Sequence, residues 1–291
     1  MNDYLVFGLA GFFAAFVDGA LGMGFGPTSS TILLGSGMSP AVTSTVVNLA
    51  KVASGAAAGI AHWRFGNIDR RVVVRLAVPG VAGAVVGTTV LANVEGDQIR
   101  PYLAVLLLLV GLRILLRFSQ RPREAVDRRE STDRTFDDRG TAVAGAAGGV
   151  TNGLIGAWGP VVTPFLLHRG LAPRYAIGSV NTAEVAVAAA ASASLLTSLG
   201  TGDLDFGVVA AMLIGGVLAA PLAAYAIRFL PERGLGMAVA ALLLVTNLRE
   251  LAAWAGLGVG RWGLYALVPT LVAVALLWPR RSPQPAVGAA R

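Results

Sequence analysis

The most unusual side chains in this sequence are two opposite charges placed inside long apolar segments. Lys51, the single lysine of the chain, stands halfway along an apolar run from 41 to 62, and Glu184 stands near the middle of another run from 173 to 198. Charges in an apolar setting are costly, so they are usually paired or functional. In one interpretation Lys51 attracts an anion, while Glu184 carries a proton or acts as a counter-charge. In the other, the two residues form an ion pair that locks two parts of the chain together.

Each of these charges has an asparagine one helical turn away. Asn48 precedes Lys51 by three residues, and Asn181 precedes Glu184 by three. In a helix, residues at this spacing lie on one face. A shift of 133 positions takes Asn48 onto Asn181 and Lys51 onto Glu184. Both asparagines are therefore candidate binding residues, at matching places in two related segments.

Two other apolar stretches are interrupted near the middle by glycine and proline. Residues 4–35 contain Gly26-Pro27, and residues 141–167 contain Gly159-Pro160. Proline is favoured at the first position of a helix, so we expect a new helix to begin at each break. The free N–H groups and positive dipole ends of such helices favour anions. Nearby hydroxyl groups can add donors, and these belong to Thr28, Ser29, Ser30 and Thr163.

Asp18 completes the set of candidate site residues, and the other glycines and the histidines have simpler explanations. Asp18 lies beside the first break, where its carboxylate can hydrogen-bond the end of a broken helix or act as a counter-charge. Glycines spaced by four, such as Gly145, Gly149 and Gly153, have a second explanation, because small residues allow helices to pack closely. The two histidines stand at loop edges and are not expected to be ligands. No motif for a metal or cofactor occurs, so neither is predicted.

The composition shows what kind of protein must position these residues. Of 291 residues, 55% are hydrophobic and only 13% are charged, with a mean hydropathy of +0.69. A soluble domain has about 25% charged residues, so a soluble enzyme and a disordered protein are both excluded. The net charge of +7 does not indicate a nucleic-acid partner, because the arginines stand in short loops and not on one basic face. The expected partners are a lipid bilayer and a small solute.

Seven apolar runs are long enough, or nearly so, to cross a membrane as helices. They lie at 41–62, 72–94, 101–116, 173–198, 206–227, 234–254 and 262–278. A hydrophilic segment separates two halves, since residues 117–139 contain seven arginines and six acids. We therefore predict four parts: a first transmembrane repeat (1–117), a cytoplasmic linker (118–139), a second transmembrane repeat (140–255), and an accessory helix with a cytoplasmic tail (256–291).

The distribution of arginine predicts that the two repeats have opposite orientations. Basic residues are enriched in short cytoplasmic loops, which places the loops 63–71 and 168–174 inside together with the linker. The loops 36–40 and 199–205 contain no basic residue and are placed outside. Because corresponding loops then lie on opposite sides, the repeats are inverted. The whole is predicted to be a multi-pass protein of the cell inner membrane, with the linker and the C-terminus in the cytoplasm.

The same topology constrains the broken stretches. Residues 141–167 begin and end inside, and 27 residues at about 1.5 Å each cannot cross a ~30 Å core twice. A re-entrant pair of half-helices that meet at the Gly-Pro break fits this length, and the same argument applies to residues 4–35. The alternative is one long, broken transmembrane span in each half. Discontinuous helices in inverted repeats are typical of secondary transporters, with the substrate near the midplane.

The motifs also occur in a characteristic order. The first half contains Gly19-x-x-Gly22-Met23-Gly24-Phe25-Gly26-Pro27, Gly37-x-x-Pro40, Asn48 and Gly66-x-Ile68-Asp69, and the second contains Gly153-x-x-Gly156-x-Trp158-Gly159-Pro160, Gly170-x-x-Pro173, Asn181 and Gly202-x-Leu204-Asp205. Over roughly 5–255 this order resembles the TauE/SafE sulfite exporter family. The resemblance implies an inner-membrane transporter of sulfur-containing or small organic anions, such as sulfite, sulfonates or sulfoacetate.

Two other classes of function stay open at this point. Membrane enzymes of lipid-phosphate chemistry also use inverted re-entrant hairpins, but they need acidic groups together with Arg, Ser or His at the hairpin tips. A membrane scaffold would not need a buried lysine opposite a buried glutamate. The leading prediction is a secondary transporter, and not an enzyme, that carries a small anion outward with protons as a candidate coupling ion. Its oligomeric state stays open.

Overall fold

The computed structural model describes residues 2–21, 23–119, 136–200, 202, 204–226 and 232–257. These residues form helices and connecting turns, with no strand among them. In chain order the helices are α1 (Asn2–Leu21), α2 (Phe25–Gly35), α3 (Pro40–Arg64), α4 (Arg70–Asn93), α5 (Gly96–Ser119), α6 (Thr141–Ile155), α7 (Gly159–His168), α8 (Pro173–Leu199), α9 (Phe206–Ala226) and α10 (Glu232–Trp254). The predicted run 262–278 and most of the linker lie outside the described residues.

Both predicted breaks are present. α1 ends at Leu21 and α2 begins at Phe25, while α6 ends at Ile155 and α7 begins at Gly159. Gly156 ends α6 in the left-handed conformation, with φ of 67°, and its N–H donates to the Asn152 carbonyl at 2.8 Å. Glycine adopts this conformation without the steric cost that a side chain brings. The prediction that a new helix begins at each Gly-Pro pair is confirmed.

The two arms of each broken segment differ in length. α2 has 11 residues and α7 has 10, so each is about 15–17 Å long, or half of a ~30 Å hydrocarbon core. α6 has 15 residues, and α1 has 20. At about 30 Å, α1 is longer than the half-helix expected from the sequence, since no proline interrupts its residues. The second arms are as short as a re-entrant segment requires.

Helices from the two halves are interleaved. α1 packs mainly against α9, and its counterpart α6 packs mainly against α4. α3 packs against its counterpart α8, and α5 packs against its counterpart α10. When the first five helices are exchanged with the last five, this set of pairs is reproduced, which is what an internal duplication gives. The opposite orientation of the two halves stays a prediction.

Glycine makes the closest of these helix pairs possible. A side-chain carbon on Gly149 of α6 would lie 2.0 Å from the Gly80 carbonyl oxygen of α4. In the corresponding pair, a carbon on Gly215 of α9 would lie 1.9 Å from the Gly8 carbonyl oxygen of α1. No side chain fits in so short a space, so the backbones approach closely only because these side chains are absent. The close-packing explanation for the glycine spacing is confirmed at Gly149.

Several described helices are long and apolar enough to cross a membrane. They are Arg70–Asn93, Gly96–Ser119, Pro173–Leu199 and Gly234–Trp254, and they identify an all-α membrane protein, as predicted. α3 has 25 residues but is not among these four, since its middle carries Ser44, Asn48 and Lys51. The helix that carries the first half's predicted charge is therefore less apolar than its neighbours, and its polar residues are buried in protein.

Ion pairs hold the last residues before α6 to two other helices. Asp138 pairs with Arg71 and Arg75 of α4, and Asp137 pairs with Arg169 beyond the end of α7 at 2.5 Å. The backbone N–H of Arg139, with the Arg169 guanidinium beside it, lowers the pKa of the Asp137 carboxyl below its usual range. This end of the predicted linker is thus fixed to the helices that surround α6, although the predicted domain limits themselves stay predictions.

Single cysteines at Ser36 and Ala172 test the predicted inversion. These residues lie in corresponding loops, after α2 and α7, and both are exposed. The chain has no cysteine of its own, so a membrane-impermeant maleimide reports each position alone. We expect Ser36→Cys to be labelled in intact cells and Ala172→Cys only after permeabilisation, because arginine assigns only the second loop to the inside. Labelling of both from the same side contradicts the inversion.

Candidate functional site

The two helix breaks meet in one small cavity between the halves of the chain. The cavity has room for about one water molecule. The cavity is lined by residues of both breaks and of the middles of α3 and α8, namely Asp18, Met23, Gly24, Phe25, Gly26, Pro27, Lys51, Gly156, Gly159, Pro160, Asn181 and Glu184.

At the cavity, the two breaks are in direct backbone contact. A side-chain carbon on Gly26, at the start of α2, would lie 1.8 Å from the Gly156 carbonyl oxygen, at the end of α6. Any residue larger than glycine at position 26 would push these two segments apart. The start of one short helix and the end of the opposite broken helix are therefore fixed against each other.

Lys51 has three hydrogen-bond acceptors at the cavity. Its Nζ donates to the Gly156 carbonyl at 2.6 Å and to Asn152 Oδ1 at 3.0 Å, and it forms an ion pair with Glu184. The Gly156 carbonyl lies at the C-terminal end of α6, where backbone acceptors lack helical partners and a cation is favoured. Lys51 thus stabilises the end of a broken helix as well as pairing α3 with α8.

A hydrogen-bond network continues from Lys51 along α3. Asn152 Nδ2 donates to Asn48 Oδ1 at 2.7 Å, and Asn48 Nδ2 donates to the Asn152 carbonyl at 3.3 Å. Ser44 Oγ donates to the Gly153 carbonyl at 2.6 Å, and Ser30 Oγ donates to the last carbonyl of α6 at 2.8 Å. Ser44 and Ser30 thus give donors to the Gly153 and Ile155 carbonyls in the last turn of α6, and Asn48 adds a second donor at the Asn152 carbonyl, so α6 can end inside the protein.

Asp18 makes the opposite kind of contact at the first break. Its Oδ1 accepts a hydrogen bond from the N–H of Phe25, the first residue of α2, at 3.2 Å. This is the contact with a helix end that the sequence suggested, and it places a carboxylate at the positive end of α2. At the start of α7, Trp158 makes no side-chain capping bond, and the described lining includes no acid from that break. One helix N-terminus therefore holds a carboxylate of the protein, and the other does not.

Five of the predicted site residues lie outside the cavity lining: Thr28, Ser29, Ser30, Asn48 and Thr163. Asn48 and Ser30 take part in the network at the end of α6. The other three are buried, and their hydroxyl oxygens have no hydrogen-bond partner among the described residues. Buried hydroxyl groups without partners are uncommon. The hydroxyl groups of Thr28 and Ser29 on α2, and of Thr163 on α7, can therefore still form hydrogen bonds.

Asn181 lines the cavity but does not repeat the contacts of its counterpart, Asn48. Its Nδ2 lies 3.4 Å from His62 Nε2, so one of the histidines that the sequence analysis set aside contacts a lining residue. The difference has a simple cause. In the alignment of Gly19 with Gly153, the residue that corresponds to Asn152 is Asp18, which has a carboxylate in place of the side-chain amide.

Sequence reasoning missed three residues of this site: Ser44, Asn152 and Gly156. Ser44, Asn48 and Lys51 are spaced by four and three residues and form one polar stripe on α3, a period that was sufficient to identify Ser44. Asn152 directly precedes the second break motif, and its polar side chain was a weak signal. Gly156 belongs to that motif, but it binds Lys51 through its carbonyl group, which every residue has, so the motif did not predict this contact.

The charges at the cavity determine what it can do. Its ionisable lining residues are Asp18, Lys51 and Glu184, with a formal net charge of −1 when all three are ionised. Among the described residues, no group of three His, Cys, Asp or Glu side chains is placed to hold a metal ion. The arrangement is suited to binding and releasing small charged species between two helix N-termini, a lysine and two acids.

Comparison with known proteins agrees with the order of motifs along the chain. The family model described as "Sulfite exporter TauE/SafE" matches residues 7–249. The chain belongs to the TauE/SafE family. A curated relative, described as "Probable membrane transporter protein YtnM" of Bacillus subtilis (strain 168), is 37% identical over 252 residues, which cover 86% of this chain and 83% of the relative. No solved structure matches this TauE/SafE chain. The chain is thus a membrane transporter, and its match spans both breaks, Lys51 and Glu184.

Proposed function

We propose that this TauE/SafE protein is a secondary transporter that moves a small sulfur-containing or organic anion outward across the cell inner membrane. Sulfite, a sulfonate or sulfoacetate is the proposed class of substrate, and the cavity between the two halves is the proposed binding site. The observation that carries the proposal is the convergence of two helix N-termini and one buried lysine on that cavity.

The backbone at the cavity supports an anionic substrate. Gly26-Pro27 and Gly159-Pro160 line it at the starts of α2 and α7, where free N–H groups and the positive helix ends favour negative charge. Lys51 adds a full positive charge. A bound anion would either contact Lys51 together with Glu184 or replace Glu184 as its ion-pair partner.

The position of the charges along their helices supports a site near the middle of the membrane. Lys51 lies 11 residues after the first residue of α3, which has 25 residues, and Glu184 lies 11 residues after the first residue of α8, which has 27. At about 1.5 Å per residue, each charge is near the midpoint of its helix. A midplane site between two repeats is the arrangement that alternating access requires.

The alternative, a membrane enzyme of lipid-phosphate chemistry, has less support. Such an enzyme needs Arg, His or Ser side chains beside the acids at the helix breaks. The described lining has none of these three residue types, and both the family and the relative are described as transporters. The roles of the individual cavity residues are part of the transport proposal.

Transport by the purified protein in sealed vesicles tests this proposal. We expect vesicles that contain the protein to release internal sulfite or methanesulfonate faster than protein-free vesicles. External sulfoacetate and acetate are then compared as competitors. Arg75→Gln serves as a matched control, because Arg75 pairs with Asp138 at the surface and does not line the cavity. If correctly folded protein moves none of these anions, the proposed substrate class is wrong.

A further inference from the structure

We infer that Asp18 is a built-in competitor for the substrate anion, and that it takes up one proton each time an anion binds. This inference rests on the proposed function, because it assigns the coupling of the same cavity. The inference assigns proton uptake to Asp18, whereas the sequence left both Asp18 and Glu184 as candidates for counter-charge or coupling.

The first argument is the position of the Asp18 carboxylate. It accepts a hydrogen bond from Phe25 N–H at the start of α2, so it occupies one of the two anion-favouring helix ends at the cavity. The corresponding residue in the second break, by the alignment of Gly19 with Gly153, is Asn152, which is uncharged and whose Oδ1 accepts a hydrogen bond from Lys51 Nζ at 3.0 Å. The start of α7 therefore lacks the internal carboxylate that the start of α2 has.

The second argument is the charge of the cavity. Its lysine and two acids already give a net charge of −1, and an incoming anion would make this −2 among side chains that line one small cavity. Like charges at such short range, away from bulk water, repel strongly. Taking up one proton keeps the net charge at −1. Binding of the anion and binding of the proton are therefore linked, and each strengthens the other.

The third argument decides which acid takes the proton. Glu184 is ion-paired with Lys51, whereas Asp18 accepts its hydrogen bond from the backbone at the start of α2. Protonating Asp18 leaves the ion pair intact. It also removes the internal negative charge from the neighbourhood of the substrate.

Other ionisable groups near α1 do not change this assignment. The described side chains of α2 and α9 include none. On α5, Arg117 Nη1 lies 2.7 Å from the Met23 sulfur, beside the cavity, but the Arg117 side chain is exposed and does not line it. The ionisable residues of α10 whose side chains are described, Arg249 and Glu250, do not line the cavity, and neither does His62 of α3.

Calorimetric titration of the purified protein with methanesulfonate tests the inference. A sulfonate does not titrate near neutral pH, so proton uptake measured in two buffers of different ionisation enthalpy belongs to the protein. We expect the wild type to take up about one proton per bound anion. Its dissociation constant for methanesulfonate should rise about tenfold per pH unit at pH values where Asp18 is ionised before the anion binds. Sulfite is titrated in parallel, with its own protonation subtracted.

The variant Asp18→Asn keeps an acceptor for the Phe25 N–H but has no charge. We expect this variant to bind methanesulfonate without taking up a proton, and its dissociation constant should not change with pH. Thr151→Val is the matched control, since it removes a hydrogen bond at the other break without changing charge, and it should take up one proton as the wild type does. Anion binding without proton uptake in the wild type, or unchanged uptake in Asp18→Asn, overturns the inference and leaves anion transport standing. If neither methanesulfonate nor sulfite binds the wild type, the proposed function itself fails.

Discussion

Replacing Lys51 by glutamine is expected to reduce anion transport severely. Glutamine can still donate a hydrogen bond to Asn152 or to the Gly156 carbonyl, but it carries no charge for the substrate. A hydrogen bond to a charged group contributes about 1.5–3 kcal/mol, so the anion affinity should fall by about 10- to 150-fold. Efflux of sulfite or methanesulfonate from vesicles, at anion concentrations below saturation, measures the loss.

Lys51→Arg separates the role of charge from the role of shape. Arginine keeps the positive charge, but its planar guanidinium differs from an ammonium group in geometry and hydration. We expect transport to persist with a changed anion affinity. Arg75→Gln, which removes a positive charge outside the cavity, should transport as the wild type does. Full activity in Lys51→Gln would show that Lys51 does not bind the substrate.

A methyl group added at Gly26 is expected to disrupt the contact between the two breaks. The new carbon would lie 1.8 Å from the Gly156 carbonyl oxygen, and because both atoms belong to the backbone or are attached directly to it, no side-chain rotation relieves the clash. Overpacking of this kind typically costs about 1–3 kcal/mol, and more where the surroundings cannot shift. We expect Gly26→Ala to lower the melting temperature of the purified protein and to lose transport.

Gly59→Ala is the matched control for this substitution. Gly59 lies in α3, and a carbon added there would meet its nearest neighbour, Thr182 Oγ1, at an ordinary contact distance of 3.8 Å. Alanine in a helix interior is more favourable than glycine by about 1 kcal/mol. Gly59→Ala should therefore be as stable as the wild type or more so. If Gly26→Ala behaves in the same way, the two breaks do not depend on this close contact.

The sequence was sufficient to predict the features that follow from local chemistry. Glycine and proline at high density favour the end of one helix and the start of the next, so the breaks before Pro27 and Pro160 could be predicted from the local sequence. A charge in the middle of an apolar run is usually paired or functional, so an ion pair between Lys51 and Glu184 was one of the two predictions. Eight of the predicted residues line one cavity, because the duplication places corresponding residues of the two halves opposite each other.

The features that were missed depend on how distant segments meet. Lys51 donates to Asn152 and Gly156 because the end of α6 lies against the middle of α3, and no property of residue 156 announces this contact. The separate environments of Asp18 and Glu184 have the same origin. Both are acids near the centre of an apolar segment. Only the packing of the helices places Glu184 beside Lys51 and Asp18 beside the start of α2.

The double variant Lys51→Met with Glu184→Leu tests most directly whether Lys51 serves transport or only holds the halves together. Removing one partner of a buried ion pair typically costs about 3–5 kcal/mol, whereas replacing both by apolar residues is often tolerated. We expect Lys51→Met alone to be destabilised and the double variant to regain stability. In vesicles, the double variant should be folded and should not transport sulfite or methanesulfonate. Recovery of transport together with stability would contradict the account, because it would show that the ion pair is purely structural.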